Sequence, residues 1–287
     1  MVPFDYVKPA TPEQLVSGLH EARGEGAVLA GGTDLHVRIR AGKARPRVVF
    51  DINDLAPCRA IVDEGDQLRV GAAVTMAELM GSAIARRKTP SLVLAASHMS
   101  SRQIRNRATL GGNIVTASPA ADAVPVLLAA DARLVLFNVN GKRELALADF
   151  LTGPGRTAMG AGEILMEVIV PVERTDCRSQ FMKVGRRKAQ AISIVNLAGR
   201  ITIGDDGLIS DARIALGAVA PTAIRAHRAE QALNGRAPSL QSLAEAAALS
   251  AEDCRPISDG RATARGRALL VEGWTLRMLQ KMCEMEA

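Results

Sequence analysis

The chain has 287 residues, 48% of them hydrophobic but only 2% aromatic, so one large or two smaller domains are expected, with cores of Ala, Val, Leu and Ile. Its formal charge is +6, yet the two basic clusters, Arg86-Arg87-Lys88 and Arg186-Arg187-Lys188, have no stacking aromatics beside them, which argues against a nucleic-acid groove. No apolar run approaches the ~18 residues of a membrane helix, and Met1–Tyr6 lacks the basic-then-apolar plan of a signal peptide, so a soluble, cytoplasmic protein is expected.

In chain order, Thr11-Pro12-Glu13-Gln14 predicts a helix start: Thr11 can cap, Pro12 suits the first helical position and Gln14 completes a capping box. Leu15, Val16 and Leu19 form its apolar face, and Gly24 suits its stop. Ala27–Ala30 reads as a short buried strand, Leu35–Ala41 as a brief helix ended by Gly42, and Arg47–Asp51 as a second strand. Together they make a small βαβ-like unit over roughly the first fifty-five residues.

Leu68–Gly71 then reads as a strand, Thr75-Met76-Ala77-Glu78 as a capping box, and Leu92–His98 as helical. Ala132–Phe137 and Glu144–Leu147 are strands joined through Asn140-Gly141, the favoured type I′ turn pair. Ile164–Val170, stopped by Pro171, is a further strand, and polar Val172–Ser179 reads as a linker. Beyond it, two long strands, Ile192–Ile203 and Leu208–Val219, are joined by Asp205-Asp206-Gly207. Three helical segments close the chain: Thr222–Leu233, Leu240–Leu249 and Thr263–Met282. Mixed strands with local hairpins predict an α+β protein, not a doubly wound parallel sheet. The domains expected are 1–175, with subdomains of about 1–55 and 56–175, and 176–287.

Cys58, Cys177, Cys254 and Cys283 form no CxxC, and the histidines form no HExxH. That pattern holds no disulfide framework and no zinc or iron–sulfur motif. Gly153-Pro154-Gly155-Arg156-Thr157-Ala158 satisfies G-x-G-x-x-A, but Pro154 sits inside it and no amphipathic helix follows, so it reads as a loop. Walker and GxSxG sequences are absent. Two glycine-rich segments remain, Ala30-Gly31-Gly32-Thr33-Asp34-Leu35 and Thr109-Leu110-Gly111-Gly112-Asn113. Backbone N–H groups at glycines can converge on an anion because no side chain blocks the approach. Thr33, Thr109, Asn113, Thr116 and Ser118 add polar groups at the same mouths; each Gly-Gly equally suits a tight turn.

The same two segments resemble the FAD-diphosphate loops of the xanthine dehydrogenase and carbon monoxide dehydrogenase flavin subunits. The likeness continues, in family order, through Thr116–Asp122, Thr152–Gly155, Glu163–Leu165, Phe181–Arg187 and Ser258–Thr263. The xanthine dehydrogenase type is the nearer one, since the first loop reads Gly-Gly-Thr-Asp and not Gly-Gly-His-Ser, and Gly217–Thr222 also fits it.

This resemblance implies the FAD-binding fold shared with vanillyl-alcohol oxidase and p-cresol methylhydroxylase, two α+β subdomains, followed by an antiparallel sheet with a helix cluster. It implies that Val28, Leu29, Ala30, Gly31, Gly32, Thr33, Asp34 and Leu35 wrap the diphosphate and ribityl chain of a non-covalent FAD. Thr109, Leu110, Gly111, Gly112 and Asn113 clamp the diphosphate from the other side, with Thr116 and Ser118 at the mouth. Asp122 holds a polar group of the cofactor, or alternatively caps a helix over Ala123–Ala130. Leu165 and Lys183 line the flavin, a solvated Lys183 being the alternative; Met99 stands where vertebrate members place an aromatic residue against the isoalloxazine. No catalytic residue is implied on this chain. A small subunit with 2Fe-2S clusters and a large molybdopterin-binding subunit are implied partners, with NAD⁺ or another acceptor taking the electrons. The rival is a self-sufficient FAD oxidase of a small alcohol. The substrate of the complex stays open between purine, aldehyde, N-heterocycle and carbon monoxide.

Overall fold

In the computed structural model, residues 3–187 and 189–285 are described. The first unit runs β1 (Asp5–Val7), α1 (Pro12–Glu21), β2 (Gly26–Leu29), α2 (Leu35–Arg40), β3 (Val48–Asp51). Its sheet is parallel, in the order β1-β3-β2. α1 starts with Pro12 in its first turn, and Thr11 Oγ1 accepts from the Gln14 N–H at 3.2 Å. Gln14 reaches one residue past the expected capping box, its Oε1 accepting from the Ala10 N–H at 2.9 Å. Leu15, Val16 and Leu19 pack on Phe50, Ile52 and Leu55, and through Phe137 and Met166 onto the next sheet. β1 is exposed at every residue and shows no alternation to read; only its pairing with β3 makes it a strand.

The second unit contains β4 (Ile61–Asp63), β5 (Gln67–Gly71), α3 (Met76–Gly81), α4 (Ala83–Lys88), α5 (Pro90–His98), α6 (Arg102–Arg105), α7 (Leu110–Val115) and α8 (Ala123–Ala129). It continues through β6 (Arg133–Asn138), β7 (Gly141–Ala146), α9 (Leu147–Phe150), the small hairpin β8 (Leu151–Gly153) and β9 (Arg156–Thr157), and β10 (Ile164–Pro171). Its antiparallel sheet has the order β4-β5-β10-β6-β7, with the almost wholly buried β10 at the centre. α3 opens with the reciprocal capping box between Thr75 and Glu78 that the sequence predicts.

The β6–β7 turn corrects an expectation. Asn138 pairs with Gly141, so Val139 and Asn140 occupy the turn, and neither has the positive φ that a type I′ turn needs. Asn138 Oδ1 accepts from the Asn140 N–H at 2.8 Å, and this side-chain turn reverses the chain one residue early.

The third unit is β11 (Cys177–Val184), β12 (Val195–Ile203), β13 (Ile209–Gly217), β14 (Ile224–Arg225), α10 (His227–Leu233), α11 (Leu240–Glu252) and α12 (Ala264–Met282), with an antiparallel sheet in chain order. The polar linker ends at Asp176, earlier than expected, because Cys177–Val184 pairs along its whole length with β12. The helix expected from Thr222 begins only at His227, since Ile224 and Arg225 pair with β13. Leu197, Ile214 and Leu216 of the sheet pack on Leu243, Met278 and Leu279 of the helices. The architecture is α+β, with an antiparallel sheet and helix cluster at the C-terminal end.

Candidate functional site

A cavity of about 390 Å³ opens between the edge strand β2 and the α5–α7 region, within the ~300–1,000 Å³ range of small-molecule clefts. Val28, Ala30, Gly31, Gly32, Thr33, Asp34, Leu35, Met99, Thr109, Gly112, Asn113 and Thr116 all line it, so the two glycine segments far apart in sequence share one wall system. Leu29 is buried behind the first loop, its carbonyl accepting from the Ile52 N–H at 3.0 Å. Leu110, Gly111 and Leu165 are also buried outside the lining, Leu165 in the core beside the β10 bulge. Ser118 is exposed, its Oγ accepting from the Ala120 N–H at 3.3 Å.

The first loop leaves the end of β2 and enters α2. The N–H groups of Gly31, Gly32, Thr33 and Asp34 find no acceptor among the described residues. Gly32 has φ +74°, the left-handed conformation that L side chains rarely adopt. Gly31 has a different reason to be glycine: a Cβ there would land on the Arg107 carbonyl oxygen, inside van der Waals contact. The loop is thus pressed against the residue that leads into the second segment, while consecutive amides stay free to bind an anion.

The second segment is built differently, and this corrects the expectation of a second amide cradle. Thr109–Asn113 is a helix start, not a loop: Thr109 is the N-cap and Leu110–Val115 forms α7. The Leu110 N–H donates to Val74 O at 2.9 Å, Gly111 N–H to Ala72 O at 2.9 Å and Gly112 N–H to Thr109 Oγ1 at 3.0 Å. The amides are already engaged. Gly111 lets the helix lie on the chain below, since a Cβ would stand 2.7 Å from Ala72 O. What this segment offers the cavity is side chains. Asn113 Oδ1 is buried with no hydrogen-bond partner among the described residues, and its Nδ2 has only the Met99 sulfur at 3.9 Å.

Met99 caps α5, and Arg105 Nη1 holds its carbonyl at 2.9 Å, fixing the backbone that presents the thioether to the cavity. Sequence reasoning missed several lining residues. Arg38 lies one turn into α2, and Met159 and Glu163 come from the β9–β10 segment. Glu163 has a buried carboxylate, gripped by Arg143 Nε and Nη2 at 2.8 and 2.7 Å and by the Gly160 N–H at 2.8 Å. The Arg143 guanidinium holds its carboxyl below the usual carboxylate range, and burial only partly opposes this. A paired Glu163 therefore does not repel an anion as a free carboxylate would. Arg38 had a charge signal in the sequence; the Arg143–Glu163 pair spans twenty residues and had none.

Asp122 and Lys183 lie outside the cavity. Asp122 precedes α8 but makes no capping bond. Its Oδ2 accepts from Lys183 Nζ at 2.6 Å, and its Oδ1 from Ser193 Oγ at 2.8 Å and Asn196 Nδ2 at 3.1 Å. Both side chains are less than 10% exposed, so the solvated-lysine alternative fails as well. Lys183 also donates to His98 O at 3.3 Å, directly behind Met99. The pair ties the C-terminal sheet to the segment behind Met99 and pairs the lysine cation with a carboxylate.

The residues present fit an anionic dinucleotide: four free amides, an orphaned buried amide oxygen and a polarizable thioether border one cavity. Cys58 and Cys254 are buried thiols pushed up to about 12 by desolvation, so neither is a nucleophile.

Two family models match the chain. The family model "FAD binding domain in molybdopterin dehydrogenase" matches residues 2–173, and "CO dehydrogenase flavoprotein C-terminal domain" matches 180–282. The xanthine dehydrogenase FAD-binding subunit of Escherichia coli O157:H7 is 34% identical over 256 residues, 88% of this chain and 87% of that protein. The nicotinate dehydrogenase FAD-subunit of Eubacterium barkeri is 33% identical, over 85% and 83% of the two chains. Among solved structures, a chain of the carbon monoxide dehydrogenase of Hydrogenophaga pseudoflava superposes with a TM-score of 0.95 at 30% identity, covering 100% of both chains.

Proposed function

Because the chain belongs to the FAD-binding subunit family of the molybdenum hydroxylases, we propose that it is the electron-exit subunit of such a complex. It would receive electrons from 2Fe-2S clusters on a small partner subunit and pass them to NAD⁺ or another acceptor. A large partner subunit would carry the molybdopterin and oxidise the substrate. The observation that supports this most directly is the joining of the free amides of Gly31–Asp34 to the orphaned Asn113 amide in one cavity.

FAD, when bound, takes up electrons and hands them on; this chain's residues bind and orient it. The first loop's amides would hold the diphosphate charge, with Arg38 adding a cation on the same wall. Asn113 would give and take hydrogen bonds with the cofactor's polar groups. Met99 would supply a soft contact where an aromatic ring would stack. Leu29 and Leu165 would act from behind, as packing. Cysteine spacing offers no cluster site on this chain, which is why the metal centres are assigned to partners. Among the described residues no helix is long and apolar enough to cross a membrane, and a cytoplasmic location is proposed with that in view.

The test is purification of the chain alone and together with its gene neighbours. The isolated chain should carry a flavin spectrum and oxidise NADH slowly with a dye, while xanthine, aldehydes and N-heterocycles stay unoxidised until the partners are added. Turnover of a small alcohol by the isolated chain would replace this reading with the self-sufficient oxidase.

A further inference from the structure

A chain of side-chain contacts reaches the first loop from residues that do not line the cavity, Tyr6, Asp51 and Asn53. Asn53 sits just past β3, part-buried, and its Nδ2 donates to Ala30 O at 2.9 Å and to Asp51 Oδ1 at 2.6 Å. Both neighbours are acceptors only, so the amide orientation is forced: NH₂ must face them. Asp51 Oδ1 also accepts from the Asn53 N–H at 2.8 Å, and the other Asp51 oxygen accepts from the Tyr6 hydroxyl. Three strands thus contribute to one relay: Tyr6 from β1, Asp51 from β3, and Ala30 from the end of β2. The Tyr6 hydroxyl and the two Asn53 bonds hold the Asp51 carboxyl below its usual range against its burial, so it stays an acceptor.

The consequence is directional. The Ala30–Gly31 peptide is trans, as are all the described peptide bonds, and in a trans peptide C=O and N–H point in opposite directions. A carbonyl fixed toward Asn53, which does not line the cavity, therefore sends the Gly31 N–H away from Asn53, while Gly31 itself lines the cavity. The Arg107 carbonyl packs where a Gly31 Cβ would stand, whereas Asn53 is the group that bonds the carbonyl of this peptide.

We propose that Asn53 is a positioning residue for the cofactor's diphosphate: by holding the Ala30 carbonyl it aims the Gly31 amide, and the free amides after it, into the cavity. The proposal rests on the FAD reading above. The experiment uses the full chain with FAD as the probe, comparing wild type with Asn53→Leu, which keeps the volume but has no donor. Three quantities are read: FAD dissociation constant by fluorescence, ³¹P resonances of the bound diphosphate, and melting temperature of the apoprotein. Asn53→Leu should weaken FAD by about tenfold, the scale of one well-placed hydrogen bond. The ³¹P resonances should shift, and apoprotein melting should stay near wild type. Tyr6→Phe, at an exposed residue where folding is not at risk, should shift the same resonances less, with a smaller loss of affinity. Asn53→Ser, which restores a donor, should recover part of the affinity. Wild-type affinity and resonances in both Asn53→Leu and Tyr6→Phe would overturn the proposal. So would weaker binding with unmoved resonances and a lowered apoprotein melting temperature, which is the signature of a merely structural residue. A wild-type chain that retains no FAD would instead overturn the FAD reading itself.

Discussion

Two Gly-Gly segments that look interchangeable on paper do opposite things in the fold. At Gly31-Gly32 the amides have no acceptor among the described residues, and one glycine has a left-handed φ. At Gly111-Gly112 the amides close onto Ala72 and Thr109, and the glycines allow a helix start to lie on the chain beneath it. One segment offers donors, the other offers side chains on a packed support. A glycine pair beside polar residues says only that the backbone comes close to something. Whether that is ligand or protein depends on where the amide hydrogens go.

The contrast can be broken at its most rigid point first. Gly111→Val should destabilise the apoprotein by about 3 kcal/mol or more, since overpacking against fixed backbone sits at the upper end of such costs. Urea unfolding without FAD measures this, and a stable apoprotein that merely loses FAD would make the two segments alike after all. Gly32→Val should behave in reverse. A β-branched residue at φ +74° is strained by roughly 1–3 kcal/mol, and the loop can relieve that strain by turning its amides away. FAD titration should show affinity down by about tenfold or more, with apoprotein melting little changed.

Gly112→Ala is milder. Its Cβ would stand 2.9 Å from Thr109 Oγ1 and displace the helix cap, a loss of about 1 kcal/mol. Calorimetry should find that loss in stability, with FAD binding weakened less than in Gly32→Val. The smallest effect belongs to the wall shared by both segments. Glu163 has a lowered pKa in the folded chain, so its pair with Arg143 stabilises fully above the unfolded carboxylate value, about 4.3. That contribution is lost as pH falls through the lower folded value. Acid titration of stability should therefore be steeper below about pH 4.3 in wild type than in Glu163→Gln.

Elements with a local signal were legible in the sequence. The caps at Thr11 and Thr75, the long strands β12 and β13, and the helix after Thr263 each carry their reason within a few residues. What escaped depends on distant partners. β1 is exposed at all three residues, and β11 is mostly half-buried, with one fully buried residue; each is a strand because of the neighbour it pairs with. The turn after β6 shifted because a side chain of Asn138 competed with the stronger dipeptide signal at Asn140-Gly141. The same limit applies to the site. The segments bordering it were readable as glycine motifs, and the family likeness placed them together. The unequal use of their amides was not readable, because it depends on Ala72 and Val74, some thirty-five residues upstream.

The Asp122 cluster has a consequence for anyone who would divide this chain. The stretch around Arg174–Asp176 is exposed and looks like a safe place to cut. Yet the donors on Asp122 are Lys183, Ser193 and Asn196, all beyond that cut. An N-terminal fragment would keep the whole cavity lining but carry a naked carboxylate at the foot of α8, where the C-terminal sheet had covered it. Such a fragment should need its other half present to stay folded, so the two halves are expected to work as a split pair that reassembles, and not as two transplantable modules.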